Sequence, residues 1–415
     1  MIRAARPCRS ESVSLDKEEV PMHPVERVIR TLEGKETDRV PTFCAMVEER
    51  TYNEVLGRPL ISQEALLTNP AVRFILDKWG TPLTRYVFQP EVTRSMEKRI
   101  RAQVELGFDA LWAILDETFI ITDHRTMVRF TGSRFNLQPD GYGNMTYMYR
   151  EPCFRSTEDF DAWPYWPDAD AVAHSAYTFF RKMVSRYGHK ACLFGQASAY
   201  GIQESLLWAV GFEKVPVWIR REKDRVRRFI AINEELCLKT NMAMLDAGVP
   251  VIIQTDDFAF KSGPIMNPKL IDELFGPSYR RIIKAVHDRG AKYVLHSCGD
   301  NTLLFDTFIS WGVDGLHAFE TTSNVDIYRE KQLHGGKVTI IGGVGVDYLL
   351  TDRSRDEEVV EEVRRLMAGL GPGGRFIISP VHSLSTIPAH KLSVMLEAAH
   401  LYGTYPISTP TKEAS

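Results

Sequence analysis

Eight short apolar runs, most of them followed by a segment with helical periodicity, constrain this chain more than any other feature. Val249–Thr255 (VPVIIQT) is rich in β-branched residues and has no alternating polar face, the pattern of a parallel strand buried on both sides. Lys292–Leu295, Asp314–Phe319, Val338–Gly342 and Arg375–Ser379 follow it, and Val40–Met46, Phe108–Leu115 and Ala191–Gln196 precede it. Between them, Arg225–Ala247 sets Val226, Phe229, Ile230 and Leu236 on one helical face, and Gly248 offers a left-handed stop. Asn267-Pro268 supplies a cap and a first-turn proline, while Pro277 predicts either two helices or one kinked helix. Ser354 and Glu357 fit a capping box, and Pro388 opens a last helix that ends near Gly403. Right-handed βα units repeated eight times close most naturally into a barrel. No GxGxxG follows the first strand, which weighs against an open dinucleotide-binding sheet. The expected fold is therefore α/β, a (β/α)₈ TIM barrel forming one domain over residues 23–415.

Two connections are too long for bare loops, residues 47–107 and 118–190. In the second, strand-like alternation flanks Gln138-Pro-Asp-Gly, which predicts a small inserted β-hairpin over the barrel mouth. Residues 1–22 read as a flexible N-terminal extension, with Met22 as a second candidate start. That extension carries Arg3, Arg6 and Arg9 and then Glu11, Asp16, Glu18 and Glu19, with no apolar core, so it is not a secretory signal. No apolar stretch approaches the roughly 20 residues of a membrane helix. Net charge is −3 with no basic stripe, which argues against nucleic acid as a partner. The six cysteines are scattered and none forms CxxC, which fits a reducing, cytoplasmic location.

In a barrel the carboxyl ends of the strands build the site. Here they deliver ionisable and polar groups in unusual number: Glu48 and Glu49, Asp116 and Glu117, Gln196, Asp256 and Asp257, His296 and Cys298, Glu320, and His382. Glu117, Asp257 and Glu320 end three different strands and are the candidate catalytic carboxylates, expected to line one pocket. Glu48, Gln196 and Asp256 are candidate substrate contacts. Helix capping by Asp256 and Asp257, and simple solvation of the glutamates, are the structural alternatives.

His296 and Cys298 lie two apart at a strand end, so both can face the same way. Imidazole with thiolate suits zinc, and His382, from a strand on the same side of the barrel, is a candidate third ligand. Asp257, Glu117, Glu320, water or substrate remain open for the fourth position. The alternative is that His296 and Cys298 are core residues with satisfied hydrogen bonds, because H-x-C is a short motif.

At these residues the chain resembles the uroporphyrinogen decarboxylase superfamily, over about residues 23–403. The resemblance rests on ordered motifs: Glu26-Arg27 through Asp38-Arg39-Val-Pro41, Gly248–Asp257, Gly263–Pro277, His296-Ser-Cys298-Gly299, Gly312–Gly315, Gly342-Gly343, and Gly371–His382. It implies a (β/α)₈ barrel and points to the branch of zinc-dependent methyltransferases that work with corrinoid proteins. In that branch H-x-C and a late cysteine bind zinc; His296 and Cys298 match, and Pro380-Val-His382 stands where the late cysteine falls. The decarboxylase's arginine-containing signature after strand one is replaced by Phe43–Arg50, whose Glu48 and Glu49 would repel a polycarboxylate. The resemblance thus implies methyl transfer between a small methylated compound or thiol and a corrinoid carried by a separate protein, with zinc as Lewis acid. A metal-free decarboxylase or lyase, and a non-catalytic ligand-binding barrel, are the competing expectations.

Overall fold

The computed structural model of the chain describes residues 21–57, 68–84, 89–139, 145–197, 201–319, 322–382 and 386–407. In chain order its strands are β1 (Phe43–Cys44), β2 (Ala110–Ile114), β3 (Phe119–Asp123), β4 (Thr126–Arg129), β5 (Ser133–Pro139), β6 (Met145–Pro152) and β7 (Cys192–Gln196). There follow β8 (Val251–Thr255), β9 (Ala259–Phe260), β10 (Gly263–Pro264), β11 (Lys292–His296), β12 (Gly315–Phe319), β13 (Thr339–Val344) and β14 (Phe376–Pro380). Eight of them form one parallel sheet in the order β1-β2-β7-β8-β11-β12-β13-β14. The sheet closes on itself, because Thr42 bridges Ile378 in parallel and Ile378 N–H donates to Pro41 O at 3.1 Å. The architecture is a (β/α)₈ barrel with an inserted β region, as the strand pattern requires.

The alternation of side chains along each strand separates two cores. Phe43, Trp112, Phe194, Val251, Ile253, Val294, Ile341 and Ile377 point inward and fill the barrel. Leu111, Leu193, Ile252, Tyr293, Leu295, Ile340 and Phe376 point outward under the helices. Val28 and Leu32 of the helix Pro24–Glu33 join the inner cluster, so this helix covers one end of the barrel. Its Arg27 donates to Asp38 and Asp109, both at 2.6 Å, and Arg39 and Thr42 also bind the buried Asp109 carboxylate. The Glu26-Arg27…Asp38-Arg39 motif is thus an ionic clamp at the barrel floor, opposite the strand ends that carry the site.

Two local expectations change, and the alternative left open at Pro277 is decided. The inserted region is a four-stranded antiparallel sheet, β3-β4-β5-β6, and not a single hairpin, because β3 and β4 add two further antiparallel pairings ahead of the expected one. The helix Pro268–His287 runs through Pro277 without a break, and Asn267 caps it by accepting from Lys269 N–H at 2.9 Å. The capping box of the helix Asp356–Leu370 is one residue later than expected: Arg355 is the cap and its N–H donates to Glu358. Ser354 is instead engaged with the carbonyls of Leu349 and Thr351. The helix Lys223–Asp246 ends before Gly248, whose φ of +95° is the expected left-handed stop.

Candidate metal centre

At the mouth, β8 runs out into Asp257 and β11 into Cys298. Adjacent residues of an extended chain face opposite ways, and Asp256 and Asp257 show it. Asp256 is fully buried and turned into the wall. Its carboxylate accepts from the N–H groups of Gln203 at 2.8 Å and Glu204 at 2.7 Å, and from the Tyr279 hydroxyl at 2.5 Å. It therefore anchors the first turn of the helix Ile202–Val210, where unpaired amides and the helix dipole favour a carboxylate. Burial works against this charge and pushes the carboxyl up to about 7. Asp257 faces the other way, and its Oδ1 accepts from Cys298 N–H at 2.8 Å.

That bond brings Asp257, His296 and Cys298 together: their donor atoms lie within 4.8 Å of one another. Cys298 Sγ is 3.3 Å from His296 Nε2, which is 4.0 Å from Asp257 Oδ1. In a tetrahedral zinc site, Zn–S of about 2.3 Å and Zn–N or Zn–O of about 2.1 Å put neighbouring donors about 3.4–3.6 Å apart. The two separations from His296 Nε2, 3.3 and 4.0 Å, bracket that spacing. The donor set of one imidazole, one thiol and one carboxylate suits zinc and leaves a fourth position for an exogenous group. Burial pushes His296 down to about 4, which keeps the imidazole neutral and its lone pair available.

His382 lies two residues beyond β14, close enough that its charge opposes protonation of His296 and His317. Its nitrogens are not within the mutually close donor group; among the described residues the third donor there is Asp257.

The remaining expected site residues scatter. Glu117 sits between outer helices, accepting from Ser175 and Thr93, and burial raises its carboxyl pKa. It does not join Asp257 at the mouth. Glu48 is paired with Arg99, which also donates to Val47 O at 2.9 Å. Gln196 does face the barrel interior, but its amide is held between Trp112 Nε1 at 3.0 Å and Thr255 Oγ1 at 2.9 Å. Glu320 lies outside the described residues.

Two residues at the centre were not singled out in the sequence. His317 of β12 pairs in register with His296 of β11, and the two Nδ1 atoms are 2.6 Å apart. A histidine inside the apolar run Gly315–Phe319, on the inward-facing alternation, was the available signal. Glu204 is the other: its carboxylate accepts from Asp257 N–H, and burial with the charges of Asp257 and Asp256 raises its pKa well above the usual range. No residue spacing announces Glu204, because the contact spans separate elements. Together the mouth holds a neutral imidazole, a thiol, the Asp257 carboxyl group and a glutamate whose pKa is raised by burial. Such a set can bind a soft Lewis-acidic ion and hand over a proton.

The fold and this cluster define a barrel with a candidate metal centre at the carboxyl ends of its strands. The family model described as uroporphyrinogen decarboxylase (URO-D) matches residues 115–402, and the chain belongs to that family. Among solved structures, a methyltransferase from Methanosarcina mazei superposes with a TM-score of 0.65 at 16% identity, over 92% of this chain and 99% of that one. At that identity the likeness shows the fold. D-psicose 3-epimerase from Clostridium cellulolyticum H10 reaches a TM-score of 0.34 at 13% identity, over 74% of this chain and 90% of that one, and carries no further argument. No curated protein matches the chain significantly. No helix among the described residues is long and apolar enough to cross a membrane.

Proposed function

We propose that this protein is a zinc-dependent methyltransferase that moves a methyl group between a small methylated compound or thiol and a corrinoid held by a partner protein. The observation that carries the reading is the convergence of Asp257, His296 and Cys298 at the barrel mouth. Bound there, zinc would act as a Lewis acid, lowering the pKa of a thiol acceptor or polarising the leaving group of a methyl donor. His296 presents a neutral nitrogen, Cys298 the soft sulfur, and Asp257 a carboxylate already oriented by the Cys298 amide. His382, whose charge acts on His296, would serve as a reserve ligand or a contact to the exogenous group. Glu204, its pKa raised by burial and by the charges of Asp257 and Asp256, is the candidate to return a proton to a departing oxygen or nitrogen. The chain carries Phe43–Arg50 in place of the arginine-containing signature of the decarboxylase, which supports the methyltransferase side of the family over the decarboxylase side.

The test is the metal content of untagged protein beside Cys298→Ser and Asp257→Asn. Wild type should hold one zinc per chain, both variants should lose it, and far-UV circular dichroism should stay unchanged. Wild type that stays empty in the presence of micromolar zinc would overturn the metal reading and leave a metal-free decarboxylase or lyase in the same mouth. Methyl transfer is tested separately, by incubating a loaded corrinoid protein with a thiol acceptor.

A further inference from the structure

We infer that His317 is a positioning residue: it accepts the Nδ1 proton of His296 and thereby fixes the His296 tautomer whose Nε2 lone pair faces Cys298 and Asp257. This rests on the metal-centre reading, since it assigns His317 a role toward that centre.

The argument is a count of protons. The His296 and His317 Nδ1 atoms are 2.6 Å apart, so one proton lies between them; two would clash and none would leave lone pairs opposed. The far side of His317 decides which ring supplies it. The Ser379 hydroxyl donates to Pro380 O at 2.6 Å, which uses its single proton. His317 Nε2 lies 3.5 Å from that same carbonyl and 3.5 Å from that same hydroxyl oxygen. Both are acceptors, so His317 carries its proton on Nε2. A neutral imidazole has one N–H, so His317 Nδ1 is the acceptor and His296 Nδ1 the donor. The His296 Nε2 atom then bears a lone pair, 3.3 Å from Cys298 Sγ. With the opposite tautomer, Nε2 would carry a proton and could not bind a metal.

Neutrality of both rings follows from their surroundings. His296 and His317 are 7% and 2% exposed. Phe43 packs edge-on against His317 with centroids 5.3 Å apart, and the Trp112 ring is tilted against His296 with centroids 5.0 Å apart. These rings also hold the imidazole planes, so the Nδ1–Nδ1 line cannot rotate away. A ligating histidine ordinarily gives its second N–H to a carboxylate, a backbone carbonyl or water. An imidazole in that place adds no charge, so a divalent ion would be balanced by the Cys298 thiolate and Asp257 carboxylate alone.

Two measurements test the assignment. In metal-free protein labelled with ¹⁵N-histidine, long-range ¹H–¹⁵N correlations should show His296 protonated at Nδ1 and bare at Nε2, and His317 the reverse. His296→Gln and His317→Gln provide the assignments. Separately, zinc affinity is read by competition with a chromophoric chelator. His317→Phe should bind zinc about 10–100-fold more weakly, the usual effect of losing such a partner. His317→Gln should recover most of the affinity, because its amide oxygen can accept the same proton; a merely space-filling role would favour Phe over Gln. A His296 protonated at Nε2, or unaltered zinc affinity in His317→Phe, overturns the inference. Wild type that binds no zinc defeats the metal reading, while the tautomer spectrum still decides whether His317 orients His296. Should His317→Phe fail to fold, the labelled wild type decides alone.

Discussion

Gly299, directly after Cys298, is the residue whose replacement should couple fold and site most directly. Its φ is +83°, and a Cβ built there would lie 2.5 Å from Ala259 O and 2.7 Å from Phe260 O. The left-handed conformation costs an L-residue about 1–2 kcal/mol. The contact costs more, because the obstacles are backbone oxygens in the β9–β10 hairpin, and Phe260 O already accepts from Asp300 N–H at 2.9 Å. Overpacking of this kind costs about 1–3 kcal/mol. Gly299→Ala should therefore destabilise by about 2–5 kcal/mol, seen as a lower urea midpoint with an unchanged m-value. Gly290 is the internal control: its φ is +75° but nothing lies within 4 Å of where a Cβ would stand, so Gly290→Ala should carry only the conformational cost. Relief of the clash in Gly299→Ala must also move Cys298, so zinc affinity should fall, whereas Gly290→Ala should bind as wild type. Equal midpoints for the two variants would refute the crowding argument, and wild-type zinc affinity in Gly299→Ala would refute the coupling.

Asp256→Ala removes the acceptor of two helix amides and the Tyr279 hydroxyl, and should cost about 3 kcal/mol or more at about 1 kcal/mol or more per orphaned donor, read from the urea midpoint. A midpoint within experimental error of wild type would return Asp256 to the substrate contacts. In metal-free protein, His296 is held down to about 4, below the ordinary 6.5, so the unfolded chain takes up its proton first as pH falls. Its contribution is thus intact above pH 6.5 and lost as pH drops through 4; at about 1.4 kcal/mol per pH unit, wild type should lose about 3 kcal/mol more than His296→Gln over that window. Parallel pH profiles for the two proteins would contradict the burial argument.

The barrel was legible because its strands are apolar on both faces, a pattern that surface loops and amphipathic helices do not imitate. The inserted sheet was less so: β4 spans only Thr126–Arg129, and its side chains are buried throughout, so the alternation that marks a half-exposed strand is missing. At the site, the two-residue spacing of His296 and Cys298 placed them side by side because strand geometry enforces it. Beyond a strand's end that rule lapses. Asp116 and Glu117 are both polar and adjacent, and which of them turns inward depends on Arg129 reaching Asp116 from the inserted sheet at 2.5 Å. Asp256 and Asp257 pose the same problem, settled by the helix Ile202–Val210 docking on one face of the pair. His317 sits within a strand, where its inward direction could be read, but its partner comes from the register of β11 with β12, which no local pattern encodes.

The donors of the candidate centre are held by more than the strands that carry them. Past the ends of β8, β11 and β12, the chains stay cross-linked: Asp256 N–H donates to His296 O at 3.0 Å, and Ser297 N–H to His317 O at 2.6 Å. Ser297 Oγ accepts from Phe258 N–H at 3.0 Å, and Cys298 N–H reaches the Asp257 carboxylate at 2.8 Å. Each bond ties one strand's continuation to its neighbour's, so Asp257, His296 and Cys298 cannot drift separately. None of these links uses the Cys298 thiol, the Nε2 atom of His296 or the second oxygen of Asp257. The barrel floor, meanwhile, is clamped at the opposite end by Arg27, Arg39 and Asp109. Reactive atoms at the mouth are thus positioned by backbone amides and by buried polar partners, while stability is secured by the walls and the floor. That separation is why loss of metal on replacing Cys298 should leave the fold intact, and why a change at Gly299, which is part of the positioning backbone, should not.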